Sequence, residues 1–203
     1  ADCGFSYRMS RFKGAGAGRF VICGVAFRLR QGPPTTAYAD IDGYLKRNQI
    51  SAPTLADVRR AVLDIRAAKG MVIDVADMDT RSVGSFFMNP IVPIEVRDRI
   101  AAASGESVPG YASGGTHVKI PAAWLIERAG FNKGYDGGTV AISTKHPLAI
   151  VNRGGATARD IVRFASKVKR GVNERFGVWL RPEPVFVGFS TDPDVAYLKR
   201  TGP

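Results

Sequence analysis

Apolar residues fall on every second position between Arg19 and Arg30: Val21, Cys23, Val25, Phe27 and Leu29 share one parity, Arg28 and Arg30 the other. That alternation predicts a half-buried strand, ended by Gln31-Gly32-Pro33-Pro34. From Thr54 the period changes. Leu55, Val58, Val62 and Ile65 recur at three- and four-residue steps, Thr54 can cap, and Gly70 provides a stop. A helix is predicted there, with Lys69 at its end facing a loop. A shorter helix is expected from Pro93 to Ala103, and another from Pro121 through Trp124, Leu125 and Ile126 to a Gly130 cap, with a Gly- and Ser-rich loop from Ser104 to Gly115 between them.

Thr139 to Ile142 and Leu148 to Val151 are short apolar runs across Ser143-Thr144-Lys145-His146-Pro147, the pattern of paired strands joined by a polar turn. Thr157 to Phe176 carries Ile161, Ala165, Val168, Val172 and Phe176 on one stripe, with Thr157 as cap and Gly177 as stop, and so predicts a long amphipathic helix. A last strand is expected from Val178 to Gly188. Pro182 and Pro184 cannot donate to a ladder, so that strand is an edge or bend that presents Glu183. Helices and strands in mixed order, without repeated βαβ units, predict an α+β fold.

The 203 residues, 45% of them hydrophobic, are enough to bury a core. No apolar run reaches bilayer length and no basic-then-apolar leader opens the chain, so a cytoplasmic protein without membrane partners is expected. Cys3 and Cys23 form no CxxC pair, and His117 and His146 are far apart in sequence; neither a disulfide scaffold nor a metal site is expected. A net charge of +11 points to an anionic partner. Lys and Arg are mingled with acids throughout, without a long basic run. A small polyanion such as a nucleotide diphosphate therefore fits as well as a polymer, and nucleic acid is not expected as a partner. The chain opens at Ala1 in a strand-and-turn region and is read as part of a longer protein.

Three residues stand in unusual local contexts: Arg8 within Phe5-Ser6-Tyr7-Arg8-Met9-Ser10, Ser85 within Gly84-Ser85-Phe86-Phe87-Met88-Asn89-Pro90, and Glu183 between prolines. Gly84 allows a backbone that other residues avoid and Pro90 stops helix continuation, so Ser85 is either a held site hydroxyl or part of a buried turn with both phenylalanines packed inside. For the bare tetrapeptide the buried turn is the stronger reading. Without a recognisable histidine base, Ser85 is poorly suited to acyl transfer, and proton donation is chemically easier. An arginine and a glutamate flanking such a hydroxyl can stabilise a developing carboxylate or enolate.

At these residues the chain resembles the UDP-N-acetylenolpyruvoylglucosamine reductase family. The likeness runs through Tyr7-Arg8-x-Ser10-x-Phe12-Lys13, Arg66-Ala67-Ala68-Lys69-Gly70, Gly84 to Pro90, Ala123-Trp124-Leu125-Ile126-Glu127 with Ala129-Gly130 and Lys133-Gly134, Asn152 with Ala156-Thr157, and Phe176-Gly177-Val178-x-Leu180-x-Pro182-Glu183. Ser143 to His146 and Arg153 to Thr157 look most like actinobacterial members, and Tyr38-Ala39-Asp40-Ile41 looks like the tyrosine loop of the subtype that has one.

The resemblance implies reduction of UDP-N-acetylglucosamine enolpyruvate to UDP-N-acetylmuramate for peptidoglycan, with FAD and NADPH as cofactors. It implies Ser85 as proton donor, Arg8 and Glu183 as stabilisers of the intermediate, Tyr7 and Arg8 near the flavin, and Tyr38, Lys69, Asn89 and Lys133 around the UDP-sugar. The Ser143 to His146 turn is expected to be mainly structural. The family's Gly-rich flavin loops have no match in this sequence. The resemblance therefore implies the remainder of a flavin domain over 1–72, a substrate domain over 73–182, and a return strand and tail over 183–203. Arg181 and Met88 depart from the family pattern, and the tail from Ser190 has no counterpart. The alternative is a flavin-free module that binds UDP-sugar without catalysis.

Overall fold

The computed structural model describes residues 2–202, so Ala1 and Pro203, the outer ends of the first and last expected segments, lie outside the described residues. Two compact units divide at residue 34, Ala1–Pro34 and Thr35–Pro203.

In the first unit the strand expected between Arg19 and Arg30 is not formed: residues 20–31 have no regular structure, and Val21, Val25, Phe27 and Leu29 are 69–88% exposed. Alternation supplies a face to bury, but a strand forms only when a neighbour takes up its N–H and C=O groups and covers that face. Among the described residues no ladder reaches this segment. What is ordered nearby is a tight turn in which Ser6 and Met9 exchange backbone hydrogen bonds, both 3.1 Å, around Tyr7-Arg8.

The second unit is α+β. It opens with α1 (Ala39–Arg47) and α2 (Leu55–Ala68), packed on each other. Thr54 caps α2 as expected, its hydroxyl accepting from Asp57 N–H while the Asp57 carboxylate accepts from Thr54 N–H. Then come β1 (Ser82–Ser85), β2 (Phe87–Met88), β3 (Ile91–Pro93), α3 (Ile94–Ser104), β4 (Tyr111–Ala112), β5 (His117–Lys119) and α4 (Ala122–Arg128). The chain closes with β6 (Val140–Ile142), β7 (Ala149–Asn152), α5 (Ala158–Phe176), β8 (Arg181–Pro182) and α6 (Pro193–Lys199). Three small antiparallel sheets result, ordered β1-β7-β6, β2-β8 and β3-β5-β4.

The long helix follows its stripe. Thr157 and Asp160 form a reciprocal cap, Gly177 ends the helix at φ +67, and Ala165, Val168, Val172 and Phe176 are buried. That face joins Leu125 and Ile126 of α4 and Ile142 and Ile150 of the central sheet in one core.

Two expectations are corrected, and the tail, for which none was made, proves ordered. The Val178 to Gly188 strand contracts to Arg181–Pro182, because the prolines break its ladder and Val185 and Val187 point outward, 86% and 82% exposed. The loop from Ser104 to Gly115 contains the edge strand β4. The tail folds: Asp192 caps α6 by accepting from Asp194 and Val195 N–H, and Val195 and Leu198 are buried. No helix of the described residues is long and apolar enough to cross a membrane.

Candidate functional site

Ser85 owes its position to a broken ladder. β1 pairs with β7 at Ser82↔Val151 and Ser85↔Ala149, so two residues between these pairs on β1 face one on β7, and Gly84 in this bulge has φ +79. A Cβ there would meet nothing within 4 Å; the backbone angle, not space, favours glycine. Ser85 itself is half-buried.

The strand then turns inward. Phe86 donates its N–H to the Leu148 carbonyl at 2.8 Å, and both phenylalanines are 2% exposed, with ring centroids 5.1 Å apart. The buried-turn reading is met by the two phenylalanines, which clamp the turn and leave the half-buried Ser85 at its edge.

Glu183 reaches the same place from the far end of the unit. β2 and β8 pair as Phe87↔Pro182 and Met88↔Arg181, and one step further Glu183 donates its N–H to the Phe86 carbonyl at 2.9 Å. Glu183 is thus fixed beside the residue that follows Ser85, nearly a hundred positions away in sequence. Asn89 lies beyond β2 and accepts the Ala122 N–H on Oδ1 at 2.9 Å, capping the start of α4.

A second cluster gathers basic residues. Lys69 ends α2, and its Nζ lies 2.6 Å from Asp40 Oδ2 on α1. That bond holds the Asp40 carboxyl below the usual carboxylate range. Tyr38 is the residue before α1 and is 71% exposed. A cleft of about 460 Å³ lies between α1 and α2, lined by Asp40, Tyr44, Arg47, Asp64 and Lys69 among others.

Gly70, at φ +67, is pressed against Asp79: a Cβ there would stand 3.2 Å from the Asp79 carbonyl oxygen and 3.3 Å from its Cβ. Asp79, nearly buried, accepts from both the N–H (3.1 Å) and the hydroxyl of Thr144. Gly134 donates to the Ser143 carbonyl at 3.1 Å. Two short links thus bring Lys69-Gly70 and Lys133-Gly134 against the Ser143 to His146 turn. Lys133 is exposed. Burial lowers the pKa of His146, and the positive charges of Lys69 and Lys133 lower it further.

Hydrogen bonds within the turn and an ion pair to Asp77 hold it in place. The Ser143 hydroxyl accepts the N–H groups of Lys145 (3.0 Å) and His146 (3.2 Å), and Lys145 is 2.6 Å from Asp77. The bond to Asp77 pushes the Lys145 ammonium up and holds the Asp77 carboxyl down. Asp79 escaped the sequence reading, because nothing in Met78-Asp79-Thr80 marks a partner 65 residues away.

Tyr7 and Arg8 belong to the first unit. They form the tip of its tight turn, with Arg8 at φ +55, a conformation that a non-glycine residue adopts only under local constraint. A flavin needs its ring enclosed and its diphosphate cradled. Here Phe5, Val21, Phe27 and Leu29 of the same unit are all at least 79% exposed. The described residues do not by themselves make a flavin site.

Comparison with known proteins gives matches to one family. The family model described as "UDP-N-acetylenolpyruvoylglucosamine reductase, C-terminal domain" matches residues 76–187, more than half of the chain. Among curated relatives, the UDP-N-acetylenolpyruvoylglucosamine reductase of Thermobifida fusca is 49% identical over 196 residues, covering 93% of this chain and 54% of the relative. That of Mycobacterium marinum is 48% identical over 197 residues (93% and 53%), and that of Corynebacterium diphtheriae 46% over 195 (94% and 51%). The chain spans about half the length of the curated relatives it matches.

Proposed function

The chain belongs to the UDP-N-acetylenolpyruvoylglucosamine reductase family, and on that premise we propose that it is the substrate-binding and proton-donating part of a reductase. The longer protein would convert UDP-N-acetylglucosamine enolpyruvate to UDP-N-acetylmuramate in peptidoglycan precursor synthesis, with FAD and NADPH as cofactors. The segment up to about residue 72 is assigned to the flavin domain and 73–182 to the substrate domain, a division supported by a family match that begins at residue 76.

What this chain contributes is the proton and the frame that aims it. Ser85 gives its hydroxyl proton to the carbon that bears the substrate carboxylate. Glu183 is assigned to stabilise the intermediate, and Arg8 of the first unit is assigned the same role, its guanidinium favouring negative charge. Lys69 and Lys133 meet the diphosphate as point charges, and Tyr38 and Asn89 border the sugar nucleotide. The observation that carries this reading is the 2.9 Å bond from Glu183 N–H to the Phe86 carbonyl, which holds Glu183 beside the Ser85 turn.

The test is Ser85→Ala in the full-length protein. A placed general acid is worth roughly 10²–10⁴ in rate, so turnover should fall by that factor while NADPH still reduces the bound flavin at the wild-type rate. Loss of flavin reduction as well, or undiminished turnover, would contradict the assignment. For the 203-residue chain by itself a second reading is favoured by the open face of the first unit: it binds UDP-sugar and does not turn it over.

A further inference from the structure

We propose that His146 is a neutral hydrogen-bond donor to the diphosphate of the bound nucleotide, stationed between Lys69 and Lys133. The inference rests on the UDP-sugar reading above and assigns a residue to it. Its ground is the convergence of three loops. Lys69-Gly70 packs on Asp79, Asp79 holds Thr144, and Gly134 is bonded to Ser143, so both lysines border the turn that carries His146.

The ring is already committed on one side. His146 Nδ1 accepts the Leu148 N–H at 3.1 Å and so carries no hydrogen; in the neutral ring the proton is then on Nε2. Burial and the two ammonium groups hold the ring neutral at pH 7, which agrees with that tautomer. The other charged groups near the turn are engaged elsewhere, Lys145 with Asp77 and Asp79 with Thr144. Lys69 is parked on Asp40, a pair exposed enough for an arriving phosphate to displace. Two mobile ammonium groups neutralise a diphosphate but do not orient it. A half-buried imidazole pinned through its other nitrogen supplies direction.

A purely structural histidine would also bond Leu148 N–H, and two variants separate the roles. His146→Asn keeps an acceptor near Nδ1 and loses the distal donor. His146→Gln carries an amide to the Nε2 position. With the 203-residue chain and UDP in calorimetry at pH 7.5, His146→Asn should weaken binding roughly tenfold or more, the worth of one hydrogen bond to a charged group. His146→Gln should keep most of the affinity, and uridine, which lacks the diphosphate, should bind all three proteins alike. Long-range proton–nitrogen spectra of the wild type should show the Nε2–H tautomer, shifted by UDP and not by uridine.

The proposal is overturned if His146→Asn binds UDP as tightly as wild type, or if the order of the two variants is reversed. If the wild-type chain binds no UDP at all, the UDP-sugar reading fails and takes this proposal with it. UDP binding that persists in both variants leaves the reading standing and removes His146 alone.

Discussion

Residues 19–30 and the β6–β7 hairpin carry comparable short runs of apolar side chains, and they end differently. Val140, Ile142, Ala149 and Val151 are at most 3% exposed, while Val21, Phe27 and Leu29 are at least 79% exposed. Each strand of the hairpin has a partner: β6 pairs with β7, β7 also pairs with β1, and α5 covers the sheet. Among the described residues, the segment 19–30 pairs with no strand. A strand is therefore a property of a pair, and side-chain alternation is half of the information needed to form it. The same contrast separates the surroundings of the three residues proposed for catalysis. Ser85 and Glu183 are held by a packed frame, whereas Arg8 sits on a turn whose own unit is open.

The sharpest way to break the comparison is to remove one aromatic from each side. Phe87→Ala should cost about 3–5 kcal/mol, because a fully buried ring between β8 and the core is replaced by a void. Phe27→Ala should stay within about 0.5 kcal/mol, since its ring is already in water. Urea denaturation of the two variants measures both, and equal losses would show that the first unit is packed after all.

A smaller effect probes how far the frame extends toward the tail. Lys169 on α5 is fully buried, and its Nζ donates to the carbonyls of Tyr197, Leu198 and Arg200 at 3.1, 2.7 and 2.6 Å, capping the end of α6. Burial, with Arg200 and Arg181 nearby, pushes its pKa down to about 8, although the three carbonyls favour the charged form. With the folded value below the unfolded one, the native state holds fewer protons between them. The burial penalty is full below pH 8 and is relieved as pH rises toward the unfolded value. Wild type should therefore gain stability relative to Lys169→Met between pH 7.5 and 10, and parallel stability–pH curves would contradict this.

Much of the second unit was legible because its signals are local. Thr157, Asp160 and Gly177 mark the ends of α5, and the stripe between them marks its buried face. Ser85 and Glu183 stood out because glycine and proline break the surrounding rules. The helix α6 was missed although Asp192 and Pro193 are a start signal and Val195 and Leu198 share a face. Its seven residues are too few for periodicity to show, and its anchor, Lys169, lies in another helix. The helix α1 was missed for a related reason: Ile41 and Leu45 are its only buried side chains. The contacts that gather Lys69, Lys133 and His146 run through Asp79 and Ser143, between loops distant in sequence, where no periodicity reports on them.

The central claim, that the second unit carries a preformed Ser85–Glu183 frame and the first unit is open, can be measured amide by amide through hydrogen exchange. The Phe86 N–H, bonded to Leu148, and the Glu183 N–H, bonded to Phe86, should exchange at rates set by opening of the second unit. The amides of residues 20–31 should exchange at the rate of an unprotected chain. Exchange of Phe86 and Glu183 as fast as that of 20–31 would contradict the account.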